Sequence, residues 1–296
     1  GLKSKVVRRG FQRALRKNLI QLAENSSVPL IRDRLRDFDV IYSSASTEVV
    51  EDLMCHGLGI VAIDRIVELS NTLDPQLISK LLLERHDRVG EERTFGVRIK
   101  RLGEKGEWDS QSYARALGAS LIERDPSLSV DLSNPEWWVK IILEPASVSS
   151  IEQRIQGPGG LPTGVQGDVL AQLRTEEDVM SSFLIMRRGS RIIPILDSKS
   201  EFIDLLSKWD PFLGVRSRTK DERGQMFQRP AWGVVGLTID QAEPHIQRRE
   251  TAIKTTPLST LEPLCAWAEE EKQALWQHII APSQFRPHPD TTSWFE

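Results

Sequence analysis

Apolar residues at Val6, Val7, Phe11, Leu15, Leu19 and Leu22 recur every few positions along the start of the chain. That spacing lays them on one side of a helix and predicts one over Ser4–Ala23. Asp39–Ser43 then reads as a short strand. Ser46–Met54 reads as a second helix, with Thr47 as its N-cap and Gly57 beyond its end, and Ile60–Leu69 as a strand. Residues 76–156 repeat the mixture. Pro75–His86 predicts a helix. Thr94–Arg101 alternates Phe95, Val97 and Ile99 against Thr94, Arg98 and Lys100, as a half-buried strand does. Ser110–Glu123 predicts a helix capped by Asp109 or Ser110, with Tyr113, Leu117 and Leu121 on one face, and Trp137–Leu143 reads as a strand.

The glycine-rich run Gly157–Gly164 reads as a linker into a third segment. There Val169–Leu173 starts a strand or a helix, Asp178–Arg188 is helical, Arg191–Leu196 and Trp232–Leu237 are buried strands, and Glu262–Ile280 is a long amphipathic helix. Strands alternating with helices predict a parallel α/β sheet. The first segment, α-β-α-β, is one strand short of the split βαβ, ferredoxin-like unit, and the missing strand is expected ahead of Gly1. The expected fold class is an α+β N-terminal half followed by a reduced α/β domain. Its boundaries are 1–75, 76–156 and 157–282, with an extended tail at 283–296 in which Trp294 and Phe295 could anchor against a groove.

Composition narrows the function classes. Of 296 residues, 39% are hydrophobic and 27% charged, which is globular rather than disordered or fibrous. The net charge is −3, so no basic field covers the whole molecule. No apolar run approaches the length of a membrane span, and the basic, helical N-terminus does not read as a signal peptide. The two cysteines, Cys55 and Cys265, make neither a disulfide framework nor a four-cysteine zinc site, and a reducing, cytoplasmic setting is expected. His56, His86, His245, His278 and His288 show no metal-ligand spacing. Cys55 and His56 are adjacent, an arrangement that rarely orients a nucleophile toward its base.

The charge is nevertheless uneven. Residues 1–40 carry ten Lys and Arg against four Asp and Glu, and Arg98, Lys100, Arg101 and Lys105 cluster on and after one strand. Glu262, Glu269, Glu270 and Glu271 make the C-terminal stretch acidic by comparison. Basic character gathered at one end predicts an anionic partner there.

The order of these elements resembles the tRNA 4-thiouridine synthases, or tRNA sulfurtransferases, which join a ferredoxin-like domain, a THUMP domain and a PP-loop ATPase domain. GLKSKVVRRGFQRALRKNL resembles the family's opening helix. TFGVRIKR, SQSYARALGASLI and VDLSNPEWWVKIIL in turn resemble the THUMP core. GPGGLPTGVQGDVLAQL resembles the linker into the PP-loop domain, and FLIMRRGSRIIPIL its first helix and second strand. GVVGLTIDQAEPHIQRRETAI and TLEPLCAW are similar to a later strand and the last helix. The resemblance implies that the acceptor end of tRNA meets Arg98, Lys100, Arg101, Lys105 and Arg115 of the THUMP segment. It also implies contacts from Lys3, Lys5, Arg9, Arg13 and Arg16 of the first helix. Phosphate contacts would make such binding salt-dependent; solvated surface charge is the alternative for both groups. Trp137 and Trp138 face opposite sides of a strand. One is expected in the core, and the other packs against a neighbour or stacks on a base.

The chain departs from the family where phosphate chemistry is done. The family's PP-loop, SGGxDS, lets backbone N–H groups approach the phosphates of ATP. Here the interval runs Leu173-Arg174-Thr175-Glu176-Glu177-Asp178-Val179, without glycine and with three carboxylates. Like charges at close range repel, so Arg174–Asp178 is expected to be a degenerate nucleotide loop. Acidic residues also suit a helix start, a simpler role for Glu176, Glu177 and Asp178 than holding Mg²⁺. The family's catalytic cysteine follows the last helix of its PP-loop domain. No cysteine follows Ile280, so no catalytic residue is assigned, Cys265 included. The expected function is tRNA binding by a pseudoenzyme without adenylation, with no cofactor or metal, and with a separate tRNA-modifying enzyme as a further partner. Two other readings stand beside it: an active sulfurtransferase using ATP and Mg²⁺ to make 4-thiouridine, and a protein-interaction scaffold.

Overall fold

A computed structural model describes residues 4–35, 38–103, 106–195, 197–213, 231–242 and 259–285. The fold is mixed α/β with parallel sheets. Its contacts fall into two units: the described residues of 32–41 and 64–155 form one, and those of 1–31, 42–63 and 156–296 the other. Strands β1 (Ile31–Leu35) and β2 (Phe38–Tyr42) make a two-stranded sheet. Among the described residues no helix is long and apolar enough to cross a membrane.

The unit built around 64–155 holds a five-stranded sheet. Its strands are β3 (Ala62–Ser70), β4 (Arg93–Arg101), β5 (Leu128–Val130), β6 (Trp137–Leu143) and β7 (Val148–Gln156), ordered β3-β7-β6-β4-β5. β4 lies parallel to β6 in an unbroken register from Phe95↔Trp137 to Arg101↔Leu143, and parallel to β5 on its other side. Parallel neighbours need a crossover, and helix α4 (Ser110–Arg124) supplies it. Asp109 caps α4 by accepting the N–H groups of Gln111 and Ser112, both at 2.8 Å. Helix α3 (Pro75–Glu84) starts where Asp74 accepts the Gln76 N–H and Pro75 fixes the first turn. Both helices pack on the odd-numbered face of the sheet. Tyr113, Leu117 and Leu121 are buried there against Phe95, Val139 and Ile141, with Ile78 of α3 beside them. Trp137 joins this core, 4.4 Å between ring centroids from His86.

The other unit is built on a four-stranded, all-parallel sheet ordered β11-β10-β8-β9. Its strands are β8 (Asp168–Ala171), β9 (Arg191–Pro194), β10 (Ala231–Val235) and β11 (Ser259–Thr260). Helices α5 (Glu176–Arg187), α6 (Ser200–Ser207) and α8 (Glu269–Ile280) contribute to its main core, and the short α7 (Ile239–Ala242) follows β10. Trp209 is central: it is 1% exposed, its indole N–H donates to the Ile279 carbonyl at 3.1 Å, and Phe183, His56 and His278 surround its ring. Helices α1 (Lys5–Asn25) and α2 (Thr47–Cys55) share a smaller core around Leu19, Leu22, Leu53 and Met54. The Asn18 amide donates to the Thr163 carbonyl, and the Asn25 amide to that of Pro211.

Several local expectations change. The linker run 157–164 is docked by hydrogen bonds. Gly157 and Gly159 donate to the carbonyls of Val61 and Ile60, Gly59 donates back to Gly159, and the buried Arg187 guanidinium donates to the Pro158 carbonyl. A Cβ on Gly157 would sit 2.3 Å from the Ile60 oxygen, so only glycine permits the approach. Helix α8 begins at Glu269, not Glu262, because turns occupy 263–266 and Glu271 accepts the Ala268 N–H. Ser46, not Thr47, stands at the N-cap of α2. Trp294 and Phe295 lie outside the described residues.

Leu117 is fully buried between α4 and the sheet. Leu117→Ala should lower the unfolding free energy by about 2–5 kcal/mol in urea denaturation. The Trp209 core carries opposed titrations. Burial pushes His278 down to about 4 and Asp210 up to about 6. Stability contributed by the neutral His278 is lost as pH falls from about 6.5 to 4. The buried Asp210 carboxylate costs stability above pH 6, and protonation relieves that cost as pH falls towards 3.8. Each is worth about 3 kcal/mol. Asp210→Asn removes the compensation. Its stability should therefore fall about 3 kcal/mol further than that of the wild type between pH 6.5 and 4; parallel pH profiles would refute this.

Candidate functional site

In the parallel sheet β8 sits between β9 and β10. The chain leaves β8 through α5 to pair β9 on one side, and later pairs β10 on the other. Where the winding reverses in this way, the carboxyl ends of adjacent strands leave a crevice. Here it is an open cleft of ≈ 780 Å³, lined among others by Asp178 and Ser181 of α5, Gly236 and Thr238 beyond β10, Cys265, and Lys272 of α8.

The first turn of α5 faces this cleft, and its backbone N–H groups carry the positive end of the helix dipole. The N–H groups of Arg174, Thr175, Asp178 and Val179 are satisfied from within the chain. Thr175 is the N-cap, its Oγ1 accepting the Asp178 N–H at 3.2 Å. The Oδ2 of Asp178 accepts the N–H groups of both Arg174 and Thr175 at 3.0 Å. Gly236 has φ 71°, and a Cβ there would lie 2.7 Å from Asp178 Oδ1 and 2.8 Å from the Gln172 oxygen. The absence of a side chain lets the end of β10 close over the turn, where Arg174 Nη2 donates to the Gly236 carbonyl at 3.1 Å. Glu177 Oε1 accepts from Lys272 Nζ at 2.7 Å, and Glu269 lies 3.9 Å from the same ammonium. The hydrogen bond to Glu177 raises the Lys272 pKa. Glu176 is the remaining acid of this turn.

The cations expected to meet an anionic partner lie on different elements. On α1, Lys5, Arg9 and Arg13 are exposed and Arg16 is half-buried. On β4, Arg98 and Lys100 are exposed on the even-numbered face, away from α3 and α4. Arg101 points to the opposite face and donates through Nη1 to the Trp108 carbonyl at 3.1 Å. Arg115 is exposed on α4, which also covers that opposite face. The fold thus brings Arg98 and Lys100 together and separates them from Arg101 and Arg115. Lys3 and Lys105 lie outside the described residues.

No family model matches the chain. It is 34% identical over 197 residues to the tRNA sulfurtransferase of Edwardsiella ictaluri, a match covering 64% of this chain and 40% of that protein. It is 32% identical over 196 residues to the tRNA sulfurtransferase of Citrobacter koseri, again covering 64% and 40%. Over that stretch the chain is a homologue of the tRNA sulfurtransferases. The chain spans about two fifths of the length of the curated relatives it matches. Its fold is similar to that of PH1313 from Pyrococcus horikoshii Ot3, with a TM-score of 0.65 and 21% identity, covering 94% of this chain and 96% of that one. It is similar also to that of a 4-thiouridine synthetase in complex with RNA and bound ATP, with a TM-score of 0.61 and 17% identity, covering 100% of this chain and 86% of that one.

Two features of these sites were not legible in the sequence. Lys140 is the Cα partner of Arg98 across the β4–β6 pair, and only the register of that pair reveals it. The reach of Asp178 back to two backbone amides had a signal, because Thr175-x-x-Asp178 is a capping-box spacing. Removing that carboxylate strips the turn of its acceptor. Asp178→Ala should cost about 0.5–2 kcal/mol of stability, measured as a lowered urea midpoint at unchanged slope.

Proposed function

We propose that the chain is a tRNA-binding member of the family that does not itself adenylate tRNA. On this reading residues 1–75 are a ferredoxin-like domain and 76–156 a THUMP domain, which together hold the acceptor end in the cytoplasm. Residues 157–282 are a PP-loop-like domain whose phosphate loop, Arg174–Asp178, is degenerate. The exposed cations of α1 and β4 support the RNA-binding part. One observation carries the rest: the Asp178 carboxylate takes the N–H groups of Arg174 and Thr175 that a phosphate oxygen would need. Two like charges about 4 Å apart repel by about 4 kcal/mol near a protein surface, and a triphosphate here would meet Glu177 and Glu176 as well. These residues do not fit the phosphates of ATP. The tRNA would then be presented to a separate modifying enzyme.

The ≈ 780 Å³ cleft at the reversal of the sheet favours a second reading, an active sulfurtransferase with an unorthodox nucleotide site. Two measurements separate the readings. An unmodified tRNA transcript should be retarded in gels at low salt. With about four phosphate contacts its affinity should fall roughly 50- to 150-fold between 50 and 200 mM salt. No retardation, or retardation indifferent to salt, counts against tRNA binding. The wild-type protein with tRNA should show no ATP–pyrophosphate exchange; exchange that disappears in Asp178→Ala would establish the second reading.

A further inference from the structure

On the reading of the chain as a tRNA binder, we propose that Trp138 is a positioning residue that holds the Arg98 guanidinium outward for the phosphate backbone of tRNA, and that Lys140 is a phosphate contact beside it. The argument begins with register. Gly96 is the Cα partner of Trp138, and Arg98 that of Lys140, so all four share the sheet face opposite α4. A Cβ on Gly96 would lie 2.7 Å from Cζ3 of Trp138 and 2.9 Å from the Asp131 carbonyl oxygen. Gly96 therefore gives the indole room to lie across β4. Two residues further along the same strand, the Arg98 guanidinium carbon stands 3.7 Å from the centroid of the Trp138 ring.

A guanidinium stacked on an indole is held by the ring quadrupole and gives up much of its rotamer freedom. Its N–H fork keeps the planar geometry that matches two phosphate oxygens. Lys140 faces Arg98 directly, at the strand spacing of about 4.8 Å, and Lys100 lies two residues on, about 6.6 Å away. Like charges placed opposite each other across a strand pair oppose folding. Asp64 is engaged by Arg154, which donates to both its oxygens at 2.7 and 2.8 Å. Lys140 and Lys100 also attract the Asp64 carboxylate. An arrangement that concentrates cations on one face, and braces one of them with an aromatic ring, is relieved by a polyanion. Consecutive phosphates along one RNA strand match a row of this length.

The test is tRNA binding by gel retardation across a salt series, with thermal unfolding confirming that each variant is folded. Arg98→Ala and Lys140→Ala should each weaken binding about five- to tenfold and flatten the plot of log affinity against log salt by about one contact's worth. Trp138→Leu removes no charge. It should weaken binding about threefold or more while leaving the salt slope unchanged, and Trp138→Phe should restore most of the loss. If Trp138→Leu fails to fold, Arg98→Lys tests the same claim: it keeps the charge and the slope but loses the stacked plane, and should also bind more weakly. Wild-type affinity in Trp138→Leu, or in its substitute Arg98→Lys, would overturn the positioning role. An unchanged slope in both alanine variants would overturn the phosphate contacts. Either failure, with salt-dependent binding by the wild type intact, leaves the tRNA reading standing; no binding by the wild type overturns both.

Discussion

A strand cannot be joined to a parallel neighbour by a tight turn; the chain must return along the length of the sheet first. Both larger sheets of this protein contain such pairs, and the placement of the remaining features follows. Between β4 and β6 the returning chain includes α4, which buries Tyr113, Leu117 and Leu121 on the odd-numbered face. The even-numbered face then keeps Arg98 and Lys100 exposed. Between β8 and β9 the return is α5. A helix that follows a strand in this way points its N-terminus at the carboxyl ends of the strands, where charge is most easily bound.

What this chain does with that helix end distinguishes it chemically. A glycine-rich turn keeps its amides available by leaving them bare. Here Asp178 folds back onto the amides of Arg174 and Thr175, and Gly236 lets β10 close over it. The carboxylate satisfies two donors that would otherwise require water or a ligand. Lys272, the cation on the facing helix, is engaged with Glu177.

Most regular elements were legible because their periodicity is strong: the alternation at Phe95, Val97 and Ile99, the apolar face at Tyr113, Leu117 and Leu121, and the run Trp137–Leu143 all emerge as read. The misses have physical causes. Strands β1, β5 and β7 are short or polar, so neighbours rather than their own pattern define them. Helix α8 was drawn too long because Leu264 and Trp267 continue an apolar spacing, although they pack against the core as partly buried side chains ahead of the helix. The candidate site was legible only in part. Residue type marked Arg98 and Lys100, but which cations share a face depends on sheet register and helix placement. A linear reading could not separate Arg101 and Arg115 from them, or add Lys140. Gly157–Gly164 reads as a linker because glycine is common in linkers; in the fold Gly157 lies where the Ile60 carbonyl leaves no room for a Cβ, and Gly160 where that of Arg187 leaves none.

The docking of that glycine run has a consequence for how the chain is made. Asn18 waits for Thr163, Asn25 for Pro211, and Asp52 for Ser283, whose hydroxyl reaches a carboxylate 231 positions earlier. During synthesis the first helix emerges long before the segments that complete its surroundings, and closing such long loops is slow relative to local structure. The residues of 64–155, whose core is drawn from one stretch, can consolidate as they leave the ribosome. The unit that carries the α5 loop is therefore completed after the residues of 64–155, although its first helix precedes them in the chain.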